Sequence, residues 1–176
     1  MKQNNIYEVC PIYETETFLL RLVSTNDAED LLKCYSNKEA QKFFNAHNCT
    51  SDFCYNTLEE MKECVGFWMD AYKNGYFIRF SIVDKSTNKA VGTVEMFGGK
   101  YGVLRIDILP AYENTQCLSE LVFIANDFFE DFGCENIVTL AIPEAIERAN
   151  ALLKNGYSHF NSDGELKAEC NFIKTK

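Results

Sequence analysis

Hydrophobic positions along this chain change their period several times, and each change marks an element. The run Phe18-Leu19-Leu20-Arg21-Leu22 reads as a first strand. Ser24-Thr25-Asn26-Asp27 then offers N-cap residues for a helix through Leu31, Leu32 and Tyr35, and a second short helix is predicted over 38–44. The polar stretch 47–52 reads as a loop. Beyond it Thr57 caps a longer helix in which Leu58, Met61, Val65, Trp68, Met69 and Tyr72 recur at spacings of three and four, ended by Gly75.

The pattern then shortens to that of strands. Residues 76–83, 90–97 and 103–109 form three strands joined by the turns DKSTNK and Gly98-Gly99, an antiparallel meander. The helix CLSELVFIANDFFEDFG follows, closed by Gly133, then a strand over 136–142 and a helix over about 144–155 ended by Gly156. Two closing strands, 157–161 and 166–173, flank the turn Ser162-Asp163-Gly164. The order β-α-α-(α)-β-β-β-α-β-α-β-β predicts one α/β (α+β) domain: a mixed, mostly antiparallel sheet with helices on both faces. Helices after the third meander strand and after the next strand imply a parallel pair at the centre, where a ligand crevice forms beyond strand C-termini.

The segment DILPAYENTQCLSE runs from the last meander strand into that helix. A strand, a Pro, a short polar loop and a helix start place free backbone N–H groups and the positive end of a helix dipole where an anion can be held. The loop itself has no glycine and no basic residue.

Composition narrows the function classes. Apolar content of 47% and aromatic content of 14% over 176 residues describe a folded domain with a substantial core. No apolar run approaches the roughly 20 residues of a membrane span, and MKQNNIYEVC lacks the apolar core of a signal peptide. Eight cysteines with no CxxC and no export signal read as reduced thiols of a cytoplasmic protein. His47, Cys49, Cys54 and Cys64 are potential soft ligands close in sequence, but their spacing is not that of a structural zinc site, and no metal is expected. A net charge of −9 argues against nucleic acid and against an anionic membrane surface, and leans toward a cationic or amine-bearing partner.

Three stretches together resemble the GNAT superfamily of N-acetyltransferases, in the branch acting on ribosomal-protein N-termini, antibiotics and small amines. FLLRLVSTNDAEDLLKCYSNKEAQKFF resembles the family's opening strand and acceptor-side helices, and FSIVDKSTNKAVGTVEM its central hairpin. IPEAIERANALLKNGYSHF is similar to its closing helix, which ends in Gly-Phe or Gly-Tyr. The resemblance covers about residues 18–173. It implies acetyl-CoA as cofactor and a primary amine, on a small molecule or a peptide, as acceptor. It implies donor contacts from Ile108 and Leu109 and from the loop and helix start Asn114, Thr115, Gln116, Cys117, Leu118 and Ser119, with Asn150 as a further candidate.

The departures are as specific as the matches. The family's loop pattern, Gln/Arg-x-x-Gly-x-Gly/Ala, corresponds here to Glu113-Asn114-Thr115-Gln116-Cys117-Leu118: an acidic residue leads and both small residues are absent. Glycines let backbone approach a pyrophosphate, and a carboxylate there repels it. In the closing helix Ala145, Arg148 and Leu152 stand where the family often has Asn, Ser and Tyr. Arg148 reads either as a substitute phosphate contact or as a surface helix arginine.

Acetyl transfer needs a deprotonated amine, a polarised thioester carbonyl and a protonated leaving thiolate. Asp107 is the carboxylate best placed to take the amine proton, directly or through water; its structural alternative is an ion pair with Arg79 or Arg105. Glu95 is the second candidate. Cys117 at a helix start is either reactive or a packed thiol, and Phe43, Phe44, Phe53, Trp68 and Tyr72 mostly read as packing. Two readings follow: an N-acetyltransferase, or a GNAT-fold module that binds a ligand or partner without using acetyl-CoA. The sequence leaves room for a homodimer through the closing strands.

Overall fold

A computed structural model describes residues 5–44, 53–161 and 170–176. Its eight strands are β1 (Tyr13–Glu14), β2 (Phe18–Leu22), β3 (Ile78–Asp84), β4 (Lys89–Phe97), β5 (Tyr101–Ile108), β6 (Asn136–Thr139), β7 (Ser158–His159) and β8 (Phe172–Thr175). They form one sheet in the order β1-β2-β3-β4-β5-β6-β8-β7. The helices are α1 (Ala28–Tyr35), α2 (Lys38–Gln41), α3 (Leu58–Lys73), α4 (Thr115–Asp131) and α5 (Ile146–Lys154). The predicted class stands: mixed α/β, mostly antiparallel, with helices on both faces.

The strand alternation sorts the central sheet into two faces. Ile78, Phe80 and Ile82 of β3, Val94 and Met96 of β4, and Leu104, Ile106 and Ile108 of β5 join Leu118, Leu121, Val122, Ala125 and Phe128 of α4 in the main core. Phe80 stacks on Phe128 at 5.9 Å between ring centroids. The alternate residues, Arg79, Ser81, Thr93, Glu95, Arg105 and Asp107, are polar yet buried. Leu31, Tyr35, Met61, Val65 and Trp68 of α1 and α3 make up a second core, and Tyr35 reaches from it to bond Thr93 and Asp107.

Caps fix the helix starts. Thr57 accepts the Glu60 N–H at 3.2 Å while Glu60 accepts the Thr57 N–H at 2.9 Å, a capping box at α3. Asn114 accepts the Cys117 N–H at 3.0 Å, so α4 starts two residues before the predicted helix. Gly75 and Gly133, at φ of 72° and 63°, follow the ends of α3 and α4 as predicted. Gly92 answers a close approach instead. A Cβ there would lie 2.1 Å from the Asp107 carbonyl oxygen, so glycine is what lets β5 pass β4 at this height.

β5 and β6 are the parallel pair, in register Tyr101↔Asn136, Gly102↔Ile137 and Val103↔Val138. The pairing stops there although β5 runs on to Ile108. β6 is shorter than the predicted 136–142 because its continuation bonds elsewhere: the Asn171 side-chain amide brackets Ala141, accepting its N–H at 2.9 Å and donating to its carbonyl at 2.7 Å. β1 was not predicted; two residues paired to β2 carry no periodic signal. The closing strands are also shorter, and the turn 162–164 with the predicted strand's start lies outside the described residues.

Candidate active site

The separation of β5 from β6 leaves an open strand edge. β5 is paired to β4 through its odd-numbered residues, as the continuing bond from the Leu109 N–H to Val91 (2.9 Å) shows, so Leu104, Ile106 and Ile108 turn their backbone groups to the open side. Two side chains meet this edge. Thr139 Oγ1 donates to the Leu104 carbonyl at 2.8 Å, and Arg148 Nη1 donates to the Ile106 carbonyl at 2.8 Å.

Arg148 ties three elements together. From the first turn of α5 it donates through Nε (2.9 Å) and Nη2 (2.8 Å) to the two carboxylate oxygens of Glu113. The two side chains are only 4% and 7% exposed. This corrects one of the two readings of the residue: Arg148 is not a surface arginine but is buried, with the Glu113 carboxylate as its partner. The fork-to-fork geometry also offsets a cation placed at a helix N-terminus, where the dipole disfavours it.

Its neighbour Glu147 reaches the start of α4. The Thr115 N–H donates to the Glu147 carboxylate at 2.8 Å and the Thr115 hydroxyl donates to the same oxygen. These bonds lower the Glu147 pKa, the hydroxyl bond most. The first-turn amides of Thr115 and Cys117 are thus both held by side chains, one of them a carboxylate.

The remaining predicted donor residues divide. Ile108 is buried in the main core and Leu109 half-buried beside it. Leu118 is a correction: its side chain is fully buried and its N–H bonds Asn114 in the helix, so it presents nothing to the loop. Cys117 is half-buried, while Gln116 and Ser119 line a cavity of about 700 Å³ on the outer side of α4, with Phe123 and Lys154. Asn150 is exposed on α5.

On the other face the buried polar residues form one connected cluster. Arg79, fully buried, donates from Nη1 to Asp107 Oδ2 at 2.9 Å and to Thr93 Oγ1 at 3.0 Å. Its Nε donates to Glu95 Oε2 at 3.1 Å, and Nη2 bonds the same oxygen. The Tyr35 hydroxyl donates to Asp107 Oδ2 at 2.7 Å, and Arg105 Nη1 donates to Glu95 Oε1 at 3.2 Å. The Arg79 guanidinium lies 4.3 Å from the Trp68 ring centroid, and Phe53 stands over both arginines at 5.4 and 5.2 Å. Burial disfavours the charge on Arg79, yet Glu95, Tyr35 and Asp107 outweigh it and hold its pKa well above the ordinary value. Burial and the nearby Asp107 push Tyr35 up, so its hydroxyl keeps its proton.

Asp107 therefore sits with one oxygen doubly held and the other, Oδ1, buried without a partner. Both Glu95 oxygens are engaged by arginines. The sequence had paired Asp107 with a cation; it did not show Tyr35 joining from α1, a contact spanning 72 residues. Cys54 is exposed and Cys64 half-buried, and no group of three or more metal-ligating side chains occurs among the described residues; His47 and Cys49 lie outside them. No described helix is long and apolar enough to cross a membrane.

The mixed sheet, split between its parallel neighbours with a helix N-terminus at the mouth of the split, matches the fold of solved GNAT-family acetyltransferases. No family model matches the sequence. An uncharacterized N-acetyltransferase of Bacillus subtilis (strain 168), YoaA, is 23% identical over 162 residues, covering 89% of this chain and 86% of that protein. Among solved structures, the ribosomal-protein-S5-alanine acetyltransferase of Vibrio fischeri superposes with a TM-score of 0.74 at 18% identity, covering 94% and 96% of the two chains. The spermidine N-acetyltransferase of Vibrio cholerae, solved with CoA and spermine, gives 0.69 at 14% identity over 92% and 96%.

Proposed function

We propose that this protein is a GNAT-type N-acetyltransferase that moves an acetyl group from acetyl-CoA to a primary amine on a small molecule or peptide. The observation that carries this reading is the open edge of β5 leading to the start of α4. The residues there fit an anionic donor in kind. Thr115 N–H and Arg148 already hold carboxylate oxygens, and phosphate oxygens take the same charge-assisted bonds. The CoA complex of the spermidine enzyme supports the same donor, and the resemblance to YoaA supports N-acetyl transfer.

Acetyl-CoA, when bound, supplies an activated thioester. The chain's part is to hold it along Ile108 and Leu109 and at Asn114, Thr115, Gln116 and Cys117, and to take the amine's proton. Asp107 is the proposed proton acceptor, through water because the carboxylate is fully buried, with Tyr35 and Arg79 fixing one of its oxygens. Glu95 is proposed as a positioning residue that anchors Arg79. The acidic net charge favours a cationic acceptor.

Calorimetry with CoA and acetyl-CoA tests the donor. Binding in the micromolar range is expected, and neither heat nor a thermal shift at millimolar CoA would refute it. Thiol release with a panel of polyamines and N-terminal peptides then identifies the acceptor class. Asp107→Asn should lower turnover by about 100-fold or more and leave CoA affinity unchanged.

A further inference from the structure

The first turn of α5 does more than brace the fold. Glu147, Arg148 and Glu113 make three attachments at the corner between β5 and α4: to the Thr115 N–H, to the Ile106 carbonyl on the open edge, and to each other across the loop. Each attachment uses a group that the donor site needs. Glu147 covers a first-turn amide, Arg148 covers the strand edge, and Glu113 saturates the guanidinium that would otherwise face a phosphate.

We infer that this triad is an autoinhibitory latch, in which Glu113 and Glu147 hold the donor groove closed and the donor's diphosphate enters by displacing both carboxylates, with Arg148 passing from Glu113 to phosphate. The inference rests on the donor site proposed above. Electrostatics favours the exchange: two carboxylates and one guanidinium leave the corner with a net negative charge, which repels a diphosphate while both carboxylates remain. The two halves differ in strength. Glu147 is exposed and its bond is a surface contact, readily given up to water. The Glu113–Arg148 pair is buried and bidentate, so it sets most of the barrier.

The test is CoA affinity by calorimetry at fixed salt, for the wild type, Glu147→Gln, Glu113→Gln and Arg148→Ala. Removing the exposed carboxylate should tighten CoA about threefold, and removing the buried one about tenfold or more. Arg148→Ala opens the edge but deletes the phosphate partner, so it should bind CoA more weakly than Glu113→Gln. Wild-type binding with unchanged or weakened affinity in both Gln variants would overturn the latch and leave the donor assignment intact. No binding by any folded form overturns the donor assignment, and the latch with it. Should Glu113→Gln fail to fold, the wild type answers through the ¹⁵N-edited Nε–H signal of Arg148, assigned with Arg148→Lys. That signal should move on CoA saturation; an unmoved signal at saturation means the Glu113 pair persists and refutes the exchange.

Discussion

The buried charge cluster under α1 and α3 makes a sharp energetic prediction. In Asp107→Asn the shape is kept and a charge is lost from a position with no exposure, 2.9 Å from Arg79 and 2.7 Å from the Tyr35 hydroxyl. Stranding one member of a buried ion pair costs about 3–5 kcal/mol. Here the loss is softened twice. Glu95 still neutralises Arg79, and the Asn carbonyl oxygen still accepts at the Oδ2 position, while the amide nitrogen replaces an oxygen that had no partner. The expected cost is about 2 kcal/mol, or a drop in Tm of about 4–8 °C for a domain of this size.

Arg79→Met is the harsher change, since it leaves Asp107 and Glu95 buried together with only Arg105 near Glu95. Its cost should reach about 3–5 kcal/mol. The decisive quantity is the coupling. Once Arg79 is gone, a charge on Asp107 has nothing to compensate it, so Asp107→Asn in the Arg79→Met background should cost little or even stabilise. A double-mutant cycle by urea unfolding should give a coupling of about 1–3 kcal/mol. Additivity within about 0.5 kcal/mol would refute the view that Arg79 and Asp107 act as one unit. The same variants separate folding from chemistry, because the proposed proton acceptor should lose far more turnover than a 2 kcal/mol stability loss explains.

Three further outcomes are expected. Asp84 accepts a hydrogen bond from the Tyr112 hydroxyl at 2.6 Å, which with Ser86 holds its pKa down to about 2, while Tyr112 is pushed up to about 12. A depressed carboxylate contributes stability that is present above its unfolded pKa of about 3.9 and is lost as pH falls through about 2. Tyr112→Phe should therefore raise the Asp84 titration midpoint in a ¹³C carboxyl NMR titration and start acid unfolding at higher pH; a midpoint still near 2 would refute the assignment. Gly92→Ala puts a Cβ 2.1 Å from the Asp107 carbonyl oxygen and 2.7 Å from Ile108 Cα. Both are backbone atoms with nowhere to go, so urea unfolding should show a loss of about 3 kcal/mol, and an unchanged midpoint would show that β5 shifts freely. Thr57→Ala removes the α3 cap and should cost about 1 kcal/mol, read the same way.

The strands and helices were legible because their signals are local. RFSIVD, GTVEM and LRIDI alternate, and the structure keeps that alternation, apolar side toward α4 and polar side toward α1 and α3. What alternation could not convey is that the polar side is also buried. A polar stripe on a strand ordinarily faces water. Burial here depends on Tyr35 arriving from α1 and on Trp68 and Phe53 covering Arg79, contacts between separate elements that the alternation of one strand does not record. The limits of β6 failed for the same reason, since a side chain from the last segment, Asn171, ends it.

The loop before α4 shows how a residue-by-residue reading loses a paired feature. Glu113 taken alone is a carboxylate in the wrong place, and Arg148 taken alone is an arginine in the third position of a helix, where the dipole opposes it. Each departs from the family pattern and each is locally unfavourable. Two unfavourable charges of opposite sign, one at the mouth of the groove and one on the helix that borders it, are the signature of an ion pair rather than of two losses. That reading was available in the sequence, because the fold already brings the α4 and α5 starts together. It also changes what the missing glycines mean. A loop stripped of glycines by drift has no reason to acquire a buried, bidentate counter-charge across the groove. A loop whose Thr115 amide and neighbouring guanidinium both engage carboxylates does, and it keeps in place the groups that would meet an anion.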